Sequence, residues 1–251
     1  MDSSSDDFYI GYMPNTPPFL AAWLRPRVQL LIALAALVAL ILVSAQSPFS
    51  KAVFEFGTPT DFTGWITMEP APSLIVAHPT GDQHSRYLLS IYGKLGADDA
   101  VRDFDGQRVT VTGELIYRDD RTMVEIAPDT LQVSTEQSPL PTGEPEDLGE
   151  NTYVGEIVDS KCFLGVMKPG NLKPHRACAT RCISGGVPPV LLVRNEAGDA
   201  TYLLLTGAQG EAIGPRILDR IAEPVKISGR TLRYDDLLVL RSDPATYTVP
   251  D

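Results

Sequence analysis

Cysteine, histidine and tryptophan are scarce in this chain, and an excess of basic residues is missing altogether. Among 251 residues there are three Cys, three His and two Trp, and 21 Lys and Arg stand against 32 Asp and Glu, a net charge of −11. Such a balance offers no basic surface to neutralise phosphates, so nucleic acid is excluded as a partner and broad adsorption to anionic lipid is disfavoured. Three cysteines allow at most one intrachain disulfide and leave a thiol over, unless a metal takes all three. No C-x-x-C-H stretch occurs, so covalent c-type haem is not expected. A phosphate-cradling glycine loop, a Ser-His-Asp order and paired catalytic carboxylates are also missing, and an independent enzyme is not predicted. Hydrophobic residues nevertheless make up 43% of the chain, enough for real cores. The length suits one large domain or two small ones.

Long apolar runs are confined to one place. VQLLIALAALVALILVSA, residues 28–45, is uncharged, and Phe19 to Leu24 can lengthen it. It reads as a transmembrane anchor over 28–46. Val43-Ser44-Ala45 resembles a signal-peptidase site, but the long acidic segment ahead of it and the extent of the apolar core argue for an uncleaved anchor. Arg25 and Arg27 flank the run on its N-terminal side, which puts residues 1–27 in the cytoplasm. The expectation is a single-pass protein of a bacterial inner membrane, with everything after the anchor in the oxidising periplasm. Residues 8–24, FYIGYMPNTPPFLAAWL, read either as an aromatic belt with Tyr9, Tyr12 and Trp23 at the headgroups or as a docking segment for another membrane subunit.

Beyond the anchor the chain reads as a duplication. FTGWITMEPAPSLIV (62–76) aligns with YVGEIVDSKCFLGVM (153–167), matching Gly64 to Gly155 and Ala71 to Cys162. SRYLLSIYG (85–93) aligns with ATYLLLTGA (200–208), matching Tyr87 to Tyr202, and QRVTVTGELIYRDDRTMVEI (107–126) aligns with EPVKISGRTLRYDDLLVL (223–240), matching Gly113 to Gly229. Three blocks in the same order favour a repeat over chance. Each copy has about five short alternating strands and a helical stretch ahead of the last two, DDAVRDFDG in one and GPRILDRIAE in the other. This predicts a mainly β protein of two tandem OB-like Greek-key barrels, at 52–134 and 151–250, joined by a proline-rich acidic linker at 135–150. The second copy carries an insertion between its first two blocks, and all three cysteines fall in or beside it.

That insertion is the candidate site. His175, Cys178 and Cys182 sit on one face of a predicted short helix that opens near Pro174 and stops at Gly185-Gly186, within reach of Cys162. Three readings follow. Cys162, His175, Cys178 and Cys182 can form a tetrahedral soft site for Zn²⁺ or Cu⁺. Two of the cysteines can instead staple the insert as a disulfide, or form a dithiol that exchanges electrons with a partner. Asp159, Glu156 and Met167 are candidates to support the ligands, although acids on a strand are ordinarily solvated and a methionine in an apolar run ordinarily packs. Lys161, Lys168, Lys173, Arg176 and Arg181 make the region basic, either as a solvated surface or as a setting that favours thiolate. His78 and His84 read as exposed residues of the first copy.

One N-terminal span followed by an exported small β-barrel resembles the membrane-anchored haem chaperone family of bacterial cytochrome c maturation, and GQRVTVTGEL (106–115) looks like a strand of such a barrel. The resemblance implies an exported OB fold. The haem-attachment motif of that family, a histidine followed four residues later by tyrosine, is missing, since the position four after His84 is Leu88, so haem delivery does not carry over. The pattern G-x-I-V-D-x-x-C…H-x-x-C-x-x-x-C…G-x-P (155–188) is also similar to one in exported bacterial proteins of undetermined function. The functional expectation is a metal-binding or assembly subunit beside a membrane-bound respiratory or redox complex. A thiol–disulfide exchange protein is the alternative, and a structural subunit with a stapling disulfide a third.

Overall fold

The computed structural model describes residues 16–45, 52–77, 84–141, 143–196 and 198–250. The chain divides into two units, Met1–Phe49 and Ser50–Asp251. In the first, helix α1 (Pro18–Ala45) buries no side chain. Its 28 residues extend about 42 Å at 1.5 Å per residue, matching a bilayer with its headgroup zones. It is long and apolar enough to cross a membrane or to act as a signal sequence. The helix begins at Pro18 rather than at Val28, because Phe19 to Leu24 continue the apolar run past the two arginines. The Arg27 guanidinium lies 3.8 Å from the centre of the Trp23 ring. Tyr9, Tyr12 and the part of the proposed docking segment before Thr16 lie outside the described residues.

The second unit holds two five-stranded barrels. The first is built from β1 (Ala52–Phe54), β2 (Thr60–Thr67), β3 (Ser73–Ala77), β4 (His84–Ile91), β5 (Leu95–Gly96), helix α2 (Asp98–Val101), β6 (Arg108–Arg118), β7 (Arg121–Ile126) and β8 (Gln132–Val133). Its ring runs β2-β3-β4-β7-β6, with only the β4–β7 pair parallel. The second is built from β9 (Glu146–Asp159), helix α3 (Arg176–Ser184), β10 (Pro189–Arg194), β11 (Ala200–Thr206), β12 (Pro224–Tyr234) and β13 (Leu237–Arg241). Its ring closes as β9-β10-β11-β13-β12, again with one parallel pair, β11–β13. Both copies therefore share the OB-type Greek-key order.

The matched glycines and hairpins do the same work in each copy, but the first aligned block holds only to the end of β9, because β10 rather than residues 163–167 stands where β3 does. A Cβ on Gly64 would stand 2.3 Å from the Ile75 carbonyl oxygen, and one on Gly155 would stand 2.5 Å from that of Leu192. Each first strand thus crosses its neighbour where only glycine fits. The last hairpin of each copy turns through an aspartate in the left-handed region, Asp119 at φ 54° and Asp235 at φ 53°.

The apolar runs of β10 and β11 explain why the barrels are one unit. Leu191, Leu203 and Leu205 point into the second barrel with Ile213, Ile227 and Leu240. Their alternates Val190, Leu192, Tyr202 and Leu204 pack against Leu88, Ile116 and Met123 of the first barrel. A strand buried on both faces reads as a continuous hydrophobic run. Polar ties reinforce this interface: Arg86 is ion-paired to Asp235 at 2.9 Å, and Lys161 to Glu125. The stretch 135–150 is only partly a linker. The Trp65 indole donates to the Ser138 carbonyl (2.8 Å), and β9 already begins at Glu146. Its acids find partners across the ladder, Glu146 with Arg233 and Asp147 with Arg230.

Candidate metal centre

The insertion leaves the second barrel at the end of β9 and returns at β10, whereas β2 and β3 of the first barrel are joined directly. After Asp159 the chain makes a single π-helical turn, Cys162–Val166, then a 3₁₀ turn, Lys173–His175, that runs into α3. Gly170 lies so close to the π turn that a Cβ there would stand 2.6 Å from the Cys162 carbonyl oxygen. Gly185 and Gly186 (φ 92°) end α3 as expected. Ala179 and Ile183 bury one side of α3 in the second barrel's core, while Cys182 packs with Cys162 and Val187.

This folding brings the three thiols together. The Cys162 sulfur lies 3.8 Å from that of Cys178 and 3.9 Å from that of Cys182, and all three sulfurs are within 4.8 Å of one another. All three cysteines are free, with no pair at bonding distance. Cys162 and Cys182 are buried and Cys178 is half-buried. Hydrogen bonding between Cys162 and Cys182 splits their acidities, raising Cys162 and lowering Cys182, with burial adding to the rise.

His175 is placed differently from the expected quartet. Its Nε2 is 2.8 Å from Asp159 Oδ2, and it groups with Asp159 and Cys162 rather than with Cys178 and Cys182. The reason lies on β9. Asp159 is fully buried, and its other oxygen accepts the Cys162 backbone N–H at 2.8 Å. The carboxylate thus braces the π turn and the imidazole together, and it is not a solvated surface acid. Glu156 is half-buried, accepts the Leu172 backbone N–H and holds the approach to the 3₁₀ turn, burial raising its carboxyl above the usual range. Met167 ends the π turn with 42% of its surface exposed.

The basic residues divide. Lys161, expected at the surface, is 2% exposed. Its ammonium donates to the carbonyls of Ile91 (2.7 Å) and Gly93 (2.8 Å) of the first barrel and pairs with Glu125. Arg176 pairs with Glu223 at 2.8 Å. His84 is half-buried, edge-on to Trp65, and His78 lies outside the described residues.

One residue at the site was not indicated by the spacing of Cys and His. Lys94, on the turn between β4 and β5, reaches across from the first barrel and places Nζ 2.7 Å from the Cys178 sulfur and 4.0 Å from that of Cys182. The sulfur contact holds its ammonium above the ordinary lysine value. Gly96 N–H donates to the Gly185 carbonyl at 2.8 Å, and a Cβ on Gly185 would stand 2.0 Å from the Lys94 carbonyl oxygen. The centre is therefore formed by both barrels.

Three converging sulfurs could hold a metal ion, and so could the Asp159, Cys162 and His175 group. No protein-family model, curated protein or solved structure matches the chain.

Proposed function

We propose that this protein is a membrane-anchored subunit whose Cys162, Cys178 and Cys182 bind one soft metal ion, Zn²⁺ or Cu⁺, beside a membrane redox complex. The sulfur triangle carries the reading. An ion with metal–sulfur bonds of about 2.3 Å in tetrahedral geometry needs sulfurs roughly 3.8 Å apart, which the separations of 3.8 and 3.9 Å match. A disulfide needs about 2.05 Å. The His175–Asp159 pair orients Cys162 from behind, as hydrogen-bonded carboxylates orient metal sites generally. A fourth position is left to solvent, a partner's ligand or a rearranged His175. The apolar helix supports a membrane location. The arginine flank supports an N-terminus inside and barrels in an oxidising exterior compartment, with residues 8–24 and the barrels as the contact for a membrane partner.

Elemental analysis of the full chain, purified in detergent without added metal or chelating resin, tests this. About one Zn or Cu per chain is expected, lost in Cys162→Ser and Cys182→Ser. Metal-free protein with one stable disulfide would overturn it. Thiol–disulfide exchange is the second reading, favoured by the half-exposed Cys178 at the rim of the trio. It requires a reducible disulfide with a potential above about −300 mV.

A further inference from the structure

We propose that Lys94 and Cys178 form a reversible covalent latch, a single oxygen atom bridging Nζ and Sγ, which closes the thiol trio when no metal occupies it. The latch regulates the centre proposed above, and only this regulatory consequence rests on the metal reading.

The geometry is specific. An N–H···O bond spans 2.7–3.2 Å, and sulfur's larger radius makes N–H···S bonds longer. The Nζ–Sγ separation of 2.7 Å is short for such a bond and suits two atoms joined through one small atom. Lysine is otherwise a flexible side chain, but here its backbone is fixed from both sides. Lys161 holds the carbonyls of Ile91 and Gly93, and the Gly96 N–H holds Gly185 at the end of α3. The amine is thus kept on the sulfur while both groups remain open to small oxidants, since Lys94 is exposed and Cys178 half-buried.

The oxidant is dioxygen. Lysine first gives one proton from its ammonium to water. One N–H and one S–H bond then break, N–O and O–S bonds form with one oxygen atom, and the two hydrogens leave with the second oxygen atom as water. Nitrogen and sulfur each lose two electrons, and O₂ gains the four. Two dithiol molecules return those electrons, releasing amine, thiol and a second water. The bridge stops oxidation of the cysteine short of the irreversible acids, and it removes one sulfur from metal binding.

The test uses the full chain in detergent, stripped of metal, exposed to air and digested without reductant. Mass spectrometry should find the Lys94 and Cys178 peptides joined, heavier than their sum by one oxygen and lighter by two hydrogens. Dithiothreitol should release them, Lys94→Arg should abolish the link and Cys182→Ser should retain it. Reloading with Zn²⁺ before exposure should suppress it. Joined peptides that contain only cysteine pairs, or sulfinic Cys178 with Lys94 free, would overturn the latch. If the link forms but Zn²⁺ neither binds nor protects, the metal reading fails and the latch stands. If Zn²⁺ binds and no link forms in the stripped protein, the latch fails alone.

Discussion

Asp159 receives the Cys162 backbone N–H on one oxygen and His175 on the other, with no exposure to water. Truncating it leaves both partners buried and unpaired, each costing about 1–3 kcal/mol. Asp159→Ala should therefore destabilise the protein by about 3 kcal/mol in denaturant titration and lower metal occupancy, while Met167→Leu, at an exposed position, should leave both unchanged. Far from the site, the exposed Asp147 carboxyl is drawn down to about 2 by hydrogen bonds from Arg230 and the Gly149 N–H. Its folded value lies below the unfolded one of about 3.9, so its contribution is present above that value and disappears as the pH falls through about 2. An NMR carboxyl titration should find that low midpoint, and Arg230→Gln should return it towards the ordinary range. At this scale the sequence showed which residues cluster but not what each one touches. Cys162, His175, Cys178 and Cys182 stood out by type and spacing, whereas Asp159 read as an ordinary solvated acid and is fully buried. Lys94 did not stand out, because its partner lies 84 positions away and on the other barrel.

The elements followed more directly from local rules. Alternation marked β6 and β12, and the repeat showed that the second copy carries an insertion, but it placed that insertion after residue 167, whereas it opens at the end of β9 and β10 stands where β3 does. What local rules missed were the ends of elements. α1 starts at Pro18, and β9 starts inside the acidic stretch, because Asp147 and Glu146 pair with arginines of a strand distant in sequence. At this level the glycine clasp of α3 makes the sharpest prediction. A Cβ on Gly185 would overlap the Lys94 carbonyl, so Gly185→Ala must push the β4–β5 turn away. Overpacking of this kind costs about 1–3 kcal/mol. It should also speed alkylation of Cys178 by a bulky maleimide, whereas Gly143→Ala, with nothing within 4 Å, should leave both stability and labelling unchanged.

For the molecule as a whole, the duplication was legible but its consequence was not. Two barrels and a linker said nothing of how the barrels meet; the alternates of β10 and β11 share one core with the first barrel. Lys161 ties that core to Glu125 by a direct, largely buried ion pair. Removing one partner of a buried ion pair costs about 3–5 kcal/mol. Lys161→Ala should lower the stability of both barrels together, read by Trp65 fluorescence for the first and by thiol accessibility for the second. Coincident transitions are expected in both wild type and variant; a first barrel that melts alone would refute the shared core.

The same two-sided strands shape how the chain must be made. The first barrel leaves the ribosome with Leu88, Ile116 and Met123 facing nothing, and the strands that cover them lie within the next hundred or so residues. At 5–20 residues per second that wait lasts roughly 5–20 s, a period in which the nascent chain carries an adhesive half-protein.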